Sequence, residues 1–154
     1  MLTVTIKRCM DSVNQFVDGG KNWNQKVRDV ESIPGILDES TLQQLLDVEL
    51  ARARRYEHPF ALLRVRVLNS GVLRDVAGAL RLHTRWADSI GVLNDCNLLV
   101  ILRDTPTEGA RTVAEKILDS LTTELPVDVM HEVQLQSAAW RKGDDRSRLL
   151  SRLD

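Results

Sequence analysis

Cysteine is scarce in this sequence, and its scarcity excludes two classes of small protein. The chain of 154 residues has two cysteines, Cys9 and Cys96, which lie far apart and form no CxxC pair. This pattern excludes a disulfide scaffold. Neither cysteine has the spacing to His58, His83 or His131 that a zinc site uses. We therefore expect no metal site and no cofactor, and the cysteine usage favours a reduced, cytoplasmic protein.

Long apolar runs are also lacking, which argues against a membrane protein. No stretch approaches the roughly 20 apolar residues of a membrane-spanning helix, and Lys7, Arg8 and Asp11 interrupt what would be the apolar core of a signal peptide. A formal net charge of −1 provides no overall field to hold a nucleic acid polymer. Sixteen arginines nevertheless outnumber five lysines, and arginine favours bidentate contacts with anions. The composition is therefore compatible with a local anion site.

An amphipathic pattern predicts a helical extension at the N-terminus. Apolar residues between Leu2 and Val17 recur at steps of three and four, which is one face of a helix, and Gly19-Gly20 ends the pattern. Two heptads are too few to establish a coiled coil, so a helix that packs on its own domain is an equal alternative. We divide the chain into an N-terminal helical extension, residues 1–32, and one domain, residues 33–154.

The rest of the chain alternates helices with strands, which predicts an α/β (α+β) domain. Asp38 or Ser40 caps a first helix that runs to about Tyr56. Arginines alternate with apolar residues in the next strand, 60–68, and predict one polar face. The further elements are a helix to about Arg85, a helix capped by Thr105, a strand over Val133–Trp140 and a helix over Arg146–Leu153.

The stretch Val92–Leu102 predicts a β-hairpin. Val92 and Leu93 precede the polar quartet Asn94-Asp95-Cys96-Asn97, and an unbroken apolar run follows. Two apolar segments around a short polar turn are typical of strand, tight turn and strand.

This hairpin resembles the central hairpin of GGDEF domains, the bacterial diguanylate cyclases. The signature of that family is RxxD, five residues, GG(D/E)EF and an apolar strand. Arg85 and Asp88 supply the RxxD, and Asn94-Asp95-Cys96-Asn97-Leu98 stands in place of GGDEF. The resemblance covers about residues 33–154 in a shortened form. It implies the nucleotidyl-cyclase, ferredoxin-like fold, a mainly antiparallel sheet flanked by helices.

The residues that the family uses for catalysis are replaced in this chain. The family holds divalent metal between a carboxylate on the first strand and the third letter of GGDEF, and these positions fall on Arg66 and Cys96. A guanidinium repels a cation, and a thiol is a poor ligand for a hard ion. The FKxxND segment that reads guanine is also missing, because Asn69-Ser70-Gly71 leads directly into the next helix. The resemblance therefore implies a degenerate domain that is not an enzyme.

The RxxD is retained, and in the family it is an inhibitory site for cyclic di-GMP. There the arginine contacts the O6/N7 edge of guanine and the aspartate accepts hydrogens from N1 and N2, a complementary pairing. The resemblance thus predicts that Arg85 and Asp88 make this chain a cyclic di-GMP receptor. Arg54 and Arg55, at the end of the first long helix, stand where family members place a second arginine that completes the site across a homodimer.

Two alternatives remain open. The segments Arg8–Asp11 and Arg141–Asp144 also read RxxD, so Arg85 and Asp88 are equally suited to a local turn or salt bridge. Arg54 and Arg55 also suit the negative end of a helix dipole. At the level of function, the alternative to a receptor is a protein-interaction or dimerisation module that binds no nucleotide.

Overall fold

The computed structural model describes residues 28, 30–94 and 97–153. The predicted helix over Leu2–Val17 and the hairpin residues Asp95 and Cys96 lie outside the described residues. The helical extension therefore stays a prediction.

Five strands form one mixed sheet in the order β1-β3-β4-β2-β5. The strands are β1 (Ile36–Leu37), β2 (Phe60–Val67), β3 (Ser89–Asn94), β4 (Asn97–Arg103) and β5 (Val133–Ala139). Only the pairing of β1 with β3 is parallel among the four pairings of this sheet. The mainly antiparallel sheet and its hairpin, β3–β4, are confirmed, whereas the two-residue strand β1 was not predicted.

Helices cover both faces of this sheet. They are α1 (Glu39–Tyr56), α2 (Leu73–His83), α3 (Thr107–Glu124), α4 (Val127–Met130) and α5 (Arg146–Ser151), with a 3₁₀ turn at Ser70–Val72. Helices α2 and α3 pack on one face in the larger of two apolar clusters, and α1 and α5 pack on the other face. The predicted order of helices and strands is confirmed. No helix within the described residues is long and apolar enough to cross a membrane.

The prediction that β2 has one polar face is wrong. β2 lies inside the sheet between β4 and β5, and both of its faces are covered by helices. Arg64 is buried on the α1 and α5 face, where its guanidinium donates to the side chain of Gln136. A strand covered on both faces is mostly apolar, so a buried arginine in it needs a polar partner of this kind.

The start of α1 agrees with the sequence, but the start of α3 does not. The Asp38 carboxylate accepts the Thr41 N–H at 2.8 Å and caps α1. Thr105 does not cap α3, because Pro106 occupies the N-cap position and the helix begins at Thr107. The Thr105 hydroxyl instead donates to the Arg103 carbonyl at 2.8 Å. It is therefore a contact at the end of β4 rather than a helix cap.

Gly91, in the middle of β3, allows β1 and α1 to approach the hairpin closely. A Cβ at this position would lie 3.0 Å from the Leu37 carbonyl oxygen and 3.0 Å from the Leu42 side chain. The backbone oxygen belongs to the paired strand β1 and has little freedom to move. The packing of α1 over the hairpin therefore requires glycine at this position.

We expect Gly91→Ala to lower the free energy of unfolding by about 1–3 kcal/mol, the usual cost of overpacking a core. Gly78→Ala is the matched control, because a Cβ at Gly78 on α2 meets nothing within 4 Å. That change should stabilise the protein by about 0.5–1 kcal/mol through helix propensity. Urea unfolding of both variants measures the difference, and a loss of stability in both would contradict the account.

Candidate ligand site at the base of the hairpin

The strand register places Arg66 beside the tip of the hairpin. Arg66 of β2 is paired with Asn97, the first residue of β4. By the resemblance, this strand position is where a metal-binding carboxylate belongs. No group of three or more potential metal ligands occurs among the described residues, and a guanidinium repels a cation. The described part of the tip does not fit a divalent metal ion.

The RxxD residues form a tight turn at the opposite end of the hairpin, immediately before β3. The Asp88 N–H donates to the Arg85 carbonyl at 3.0 Å. In return, the Asp88 Oδ2 accepts the Arg85 N–H at 2.9 Å. A short acidic side chain that accepts a nearby backbone N–H is a common way to fix a turn. The turn lies two residues after α2, which ends at His83 and not at about Arg85 as predicted.

The Asp88 carboxylate also holds the end of β4. Its Oδ1 accepts a hydrogen bond from the Arg103 N–H at 3.1 Å. The Arg85 guanidinium donates to Oδ1 from Nη2 at 3.4 Å and to Oδ2 from Nε at 3.5 Å. Together with the hydrogen bond from the Arg85 N–H, the Asp88 carboxylate accepts four hydrogen bonds, about as many as a carboxylate can accept. The side chain is only 2% exposed. Asp88 therefore connects the start of β3 to the end of β4 in this structure.

Arg85 is anchored at the same place but remains open to solvent. Its Nη2 donates to the Thr105 hydroxyl at 2.8 Å and also to the Arg103 carbonyl. Its side chain is 60% exposed. Arg85 and Asp88 thus lie together in this structure, with Asp88 facing inward and Arg85 facing outward.

An exposed aromatic surface adjoins Arg85. Trp86 is 95% exposed, and the Arg81 guanidinium lies over its ring, 5.9 Å from the centroid. Arg81 also donates to the Arg85 carbonyl at 3.1 Å. We call Arg81, Arg85 and Trp86 the turn surface. Arg81 was missed in the sequence, although it lies one helical turn before Arg85.

Arg54 and Arg55 are not joined to this surface. Arg54 donates to the Asp144 carbonyl at 3.3 Å, and Arg55 lies over the Tyr56 ring at 5.3 Å. Among the described residues, no hydrogen bond or ion pair connects either arginine to Arg85 or Asp88. Their role in the same site therefore stays a prediction.

Comparison with solved structures connects this architecture to known proteins. No protein-family model and no curated protein matches the sequence. The diguanylate cyclase SiaD of Pseudomonas aeruginosa, solved with its activator SiaC, matches with a TM-score of 0.66 and 22% identity, over 96% of this chain and 63% of that one. The chain thus spans less than two thirds of the length of SiaD.

Two isolated domains match equally well. The GGDEF domain of DgcB from Caulobacter crescentus, in complex with c-di-GMP, has a TM-score of 0.66 and 12% identity over 77% of this chain and 81% of its own. The FimX GGDEF domain from Pseudomonas aeruginosa has a TM-score of 0.66 and 13% identity over 79% and 86%. This chain has the GGDEF fold. The fold implied by the sequence resemblance is confirmed.

A second RxxD in this chain, Arg141–Asp144, shows which hydrogen bonds an arginine and an aspartate make at this spacing. The Asp144 N–H donates to the Arg141 carbonyl at 2.9 Å, and Asp144 accepts the Arg141 N–H at 2.7 Å. These are the same two hydrogen bonds that the first RxxD makes. Hydrogen bonding from Arg152, 2.8 Å away, lowers the pKa of Asp144 below its ordinary value. Arg141–Asp144 is therefore a structurally matched control for Arg85–Asp88.

We expect Asp88→Ala to lower the free energy of unfolding by about 1–3 kcal/mol, because the Arg85 and Arg103 amides lose a buried acceptor. Asp119→Ala, at an exposed position of α3, should change stability by no more than about 0.5 kcal/mol. Urea unfolding at neutral pH makes the comparison. Equal effects of the two substitutions would show that Asp88 does not hold the hairpin.

Proposed function

We propose that this domain is a non-catalytic receptor for cyclic di-GMP that binds its ligand on the turn surface. The observation that carries the proposal is the exposure of Arg85 and Trp86 side by side, with Arg81 over the indole ring. The exposed indole of Trp86 and the guanidinium groups beside it are available to a ligand, and both kinds of group stack on nucleobases. Arg81 and Arg85 also supply positive charge for an anionic ligand.

The roles of the RxxD residues differ in this proposal. The Arg85 Nη1, which makes none of the hydrogen bonds that anchor this side chain, contacts the O6/N7 edge of a guanine, which stacks on Trp86. Asp88 is a positioning residue, because its four hydrogen bonds hold the turn that presents Arg85. The c-di-GMP complex of the DgcB GGDEF domain supports this choice of ligand for the fold. Arg54 and Arg55, supplied by a second protomer, are proposed to complete the site in a homodimer.

The lack of catalysis rests on the charge of Arg66. In this fold β2 presents Arg66 opposite Asn97 at the hairpin tip, where the resemblance requires a metal-binding carboxylate. A cation at that position opposes the binding of Mg²⁺ or Mn²⁺.

A protein-interaction module is the second candidate function. This alternative is favoured because the Asp88 carboxylate already accepts four hydrogen bonds. To accept hydrogen bonds from guanine N1 and N2 as well, it would have to give up the bond from the Arg103 N–H. SiaD, which shares the fold, was solved with a protein activator. In this alternative, Trp86 is the centre of a protein interface.

We expect the purified chain to bind cyclic di-GMP and Arg85→Ala to weaken binding by about tenfold to a hundredfold. Loss of a charge-assisted hydrogen bond costs roughly 1.5–3 kcal/mol, and 1.4 kcal/mol corresponds to a factor of ten. Arg141→Ala should leave the affinity unchanged, because Arg141 lies in the same kind of turn but its neighbour Trp140 packs on Phe60 instead of facing solvent as Trp86 does. Calorimetry decides between the candidates: no heat at high ligand concentration, or equal effects of both substitutions, would favour the interaction module.

We expect no formation of cyclic di-GMP from GTP in the presence of Mg²⁺ or Mn²⁺. Chromatographic separation of the nucleotides after long incubation is the measurement. Turnover that persists through further purification and is abolished by Arg66→Ala would contradict the proposed loss of catalysis.

A further inference from the structure

A groove runs along the outer edge of β5, and the residues that line it do not include Arg81, Arg85 or Trp86 of the turn surface. Its volume is about 340 Å³, and its walls include the consecutive residues 135–139 of β5 and the start of α3. Among the described residues, β5 is an edge strand that pairs only with β2. The groove therefore follows a sheet edge.

The hydrogen-bond register identifies which backbone groups of β5 face this groove. The Trp140 N–H donates to the Phe60 carbonyl at 2.9 Å, and the Leu68 N–H donates to the Glu132 carbonyl at 2.8 Å. In an antiparallel ladder the hydrogen-bonded pairs alternate with pairs that face away. The residues with outward-facing backbone groups are thus Val133, Leu135, Ser137 and Ala139. Arg152 confirms this alternation, because it donates to the Ala139 carbonyl at 2.6 Å from outside the sheet.

The groove is lined by positive charge. Arg111 of α3, Arg141 after β5 and Arg152 after α5 contribute to its walls, whereas no carboxylate does. Asp144 forms an ion pair with Arg152 and also interacts electrostatically with Arg141, so one carboxylate stands beside two of the three arginines. Arg111 forms no ion pair with any other residue in the described part of the chain. In the described part of the chain, this edge is open at Leu135 and Ser137, and arginines outnumber carboxylates beside it, so it is complementary to an extended, acidic segment.

We infer that β5 is a docking edge for an extended acidic peptide of a partner protein, which adds to the sheet as a sixth strand. Backbone hydrogen bonds to Leu135 and Ser137 provide the affinity, and Arg111 and Arg141 select acidic side chains. Five residues of strand span about 17 Å, a usual strand length. This surface is separate from the proposed cyclic di-GMP site and does not depend on it.

The test uses the full chain and a labelled, end-blocked hexapeptide of alternating valine and glutamate. Fluorescence polarisation should show saturable binding that weakens as salt is raised. The Arg111→Gln, Arg141→Gln double variant should bind at least about tenfold more weakly. Arg74→Gln, an exposed arginine of α2, and Arg85→Ala should both bind as the unmodified chain does. A peptide with lysine in place of glutamate should not bind.

Amide hydrogen exchange gives the second readout. The peptide should slow exchange at Leu135 and Ser137, whose N–H groups face outward, without a comparable change at Gln136, which already faces β2. No saturable binding at millimolar peptide, equal binding by the double variant, or protection elsewhere in the sheet would overturn the inference. A further outcome is that exchange at Leu135 and Ser137 slows as the protein concentration is raised in the absence of peptide. That result would identify a second copy of the chain as the occupant and would also overturn the inference.

Discussion

The pairing of β2 with both of its neighbours is the constraint on which the rest of the structure depends. β2 lies between β4 and β5, and helices bury both of its faces. A shift of one residue in register would exchange the two faces of the strand. Leu63 and Val65 would then move to the side that Arg64 occupies. The apolar packing therefore fixes the register that sets Arg66 against the tip of the hairpin.

The two ends of the hairpin carry different functional groups. At the tip, a cation occupies the position at which the resemblance implies a metal ligand. At the base, Asp88 fastens β3 to β4 and leaves Arg85 and Trp86 facing solvent. In the function proposed above, a GGDEF fold with arginine at this position binds its ligand without phosphoryl transfer, because that reaction needs a metal to neutralise the developing charge.

The two RxxD segments show that a ligand-binding motif and a local turn can have the same sequence pattern. Both aspartates accept the N–H of the arginine three residues earlier, and both are nearly buried. The spacing therefore encodes a local turn in each case. What distinguishes the first segment is the exposed Trp86 within it and Arg81 one helical turn before it, neither of which belongs to the motif.

Much of the fold could be predicted because its signals are local. The hairpin follows from two apolar segments around a polar turn, and Asp38 is recognisable as a helix cap. The short strand β1 was missed because two residues carry no periodicity. The burial of Arg64 was missed because it depends on α1 and α5, which are distant in sequence, and the role of Thr105 was missed because its partner, Arg85, lies 20 residues away.

The most direct test of the account is an NMR titration of the labelled chain with cyclic di-GMP, in which side-chain and backbone N–H signals are followed together. We expect the Trp86 indole and Arg85 Nε signals to shift together and saturate, while the Arg66 and Asn97 amides at the tip stay unchanged. Saturable shifts at Arg66 and Asn97, with an unperturbed Trp86, would place the ligand at the tip and contradict it.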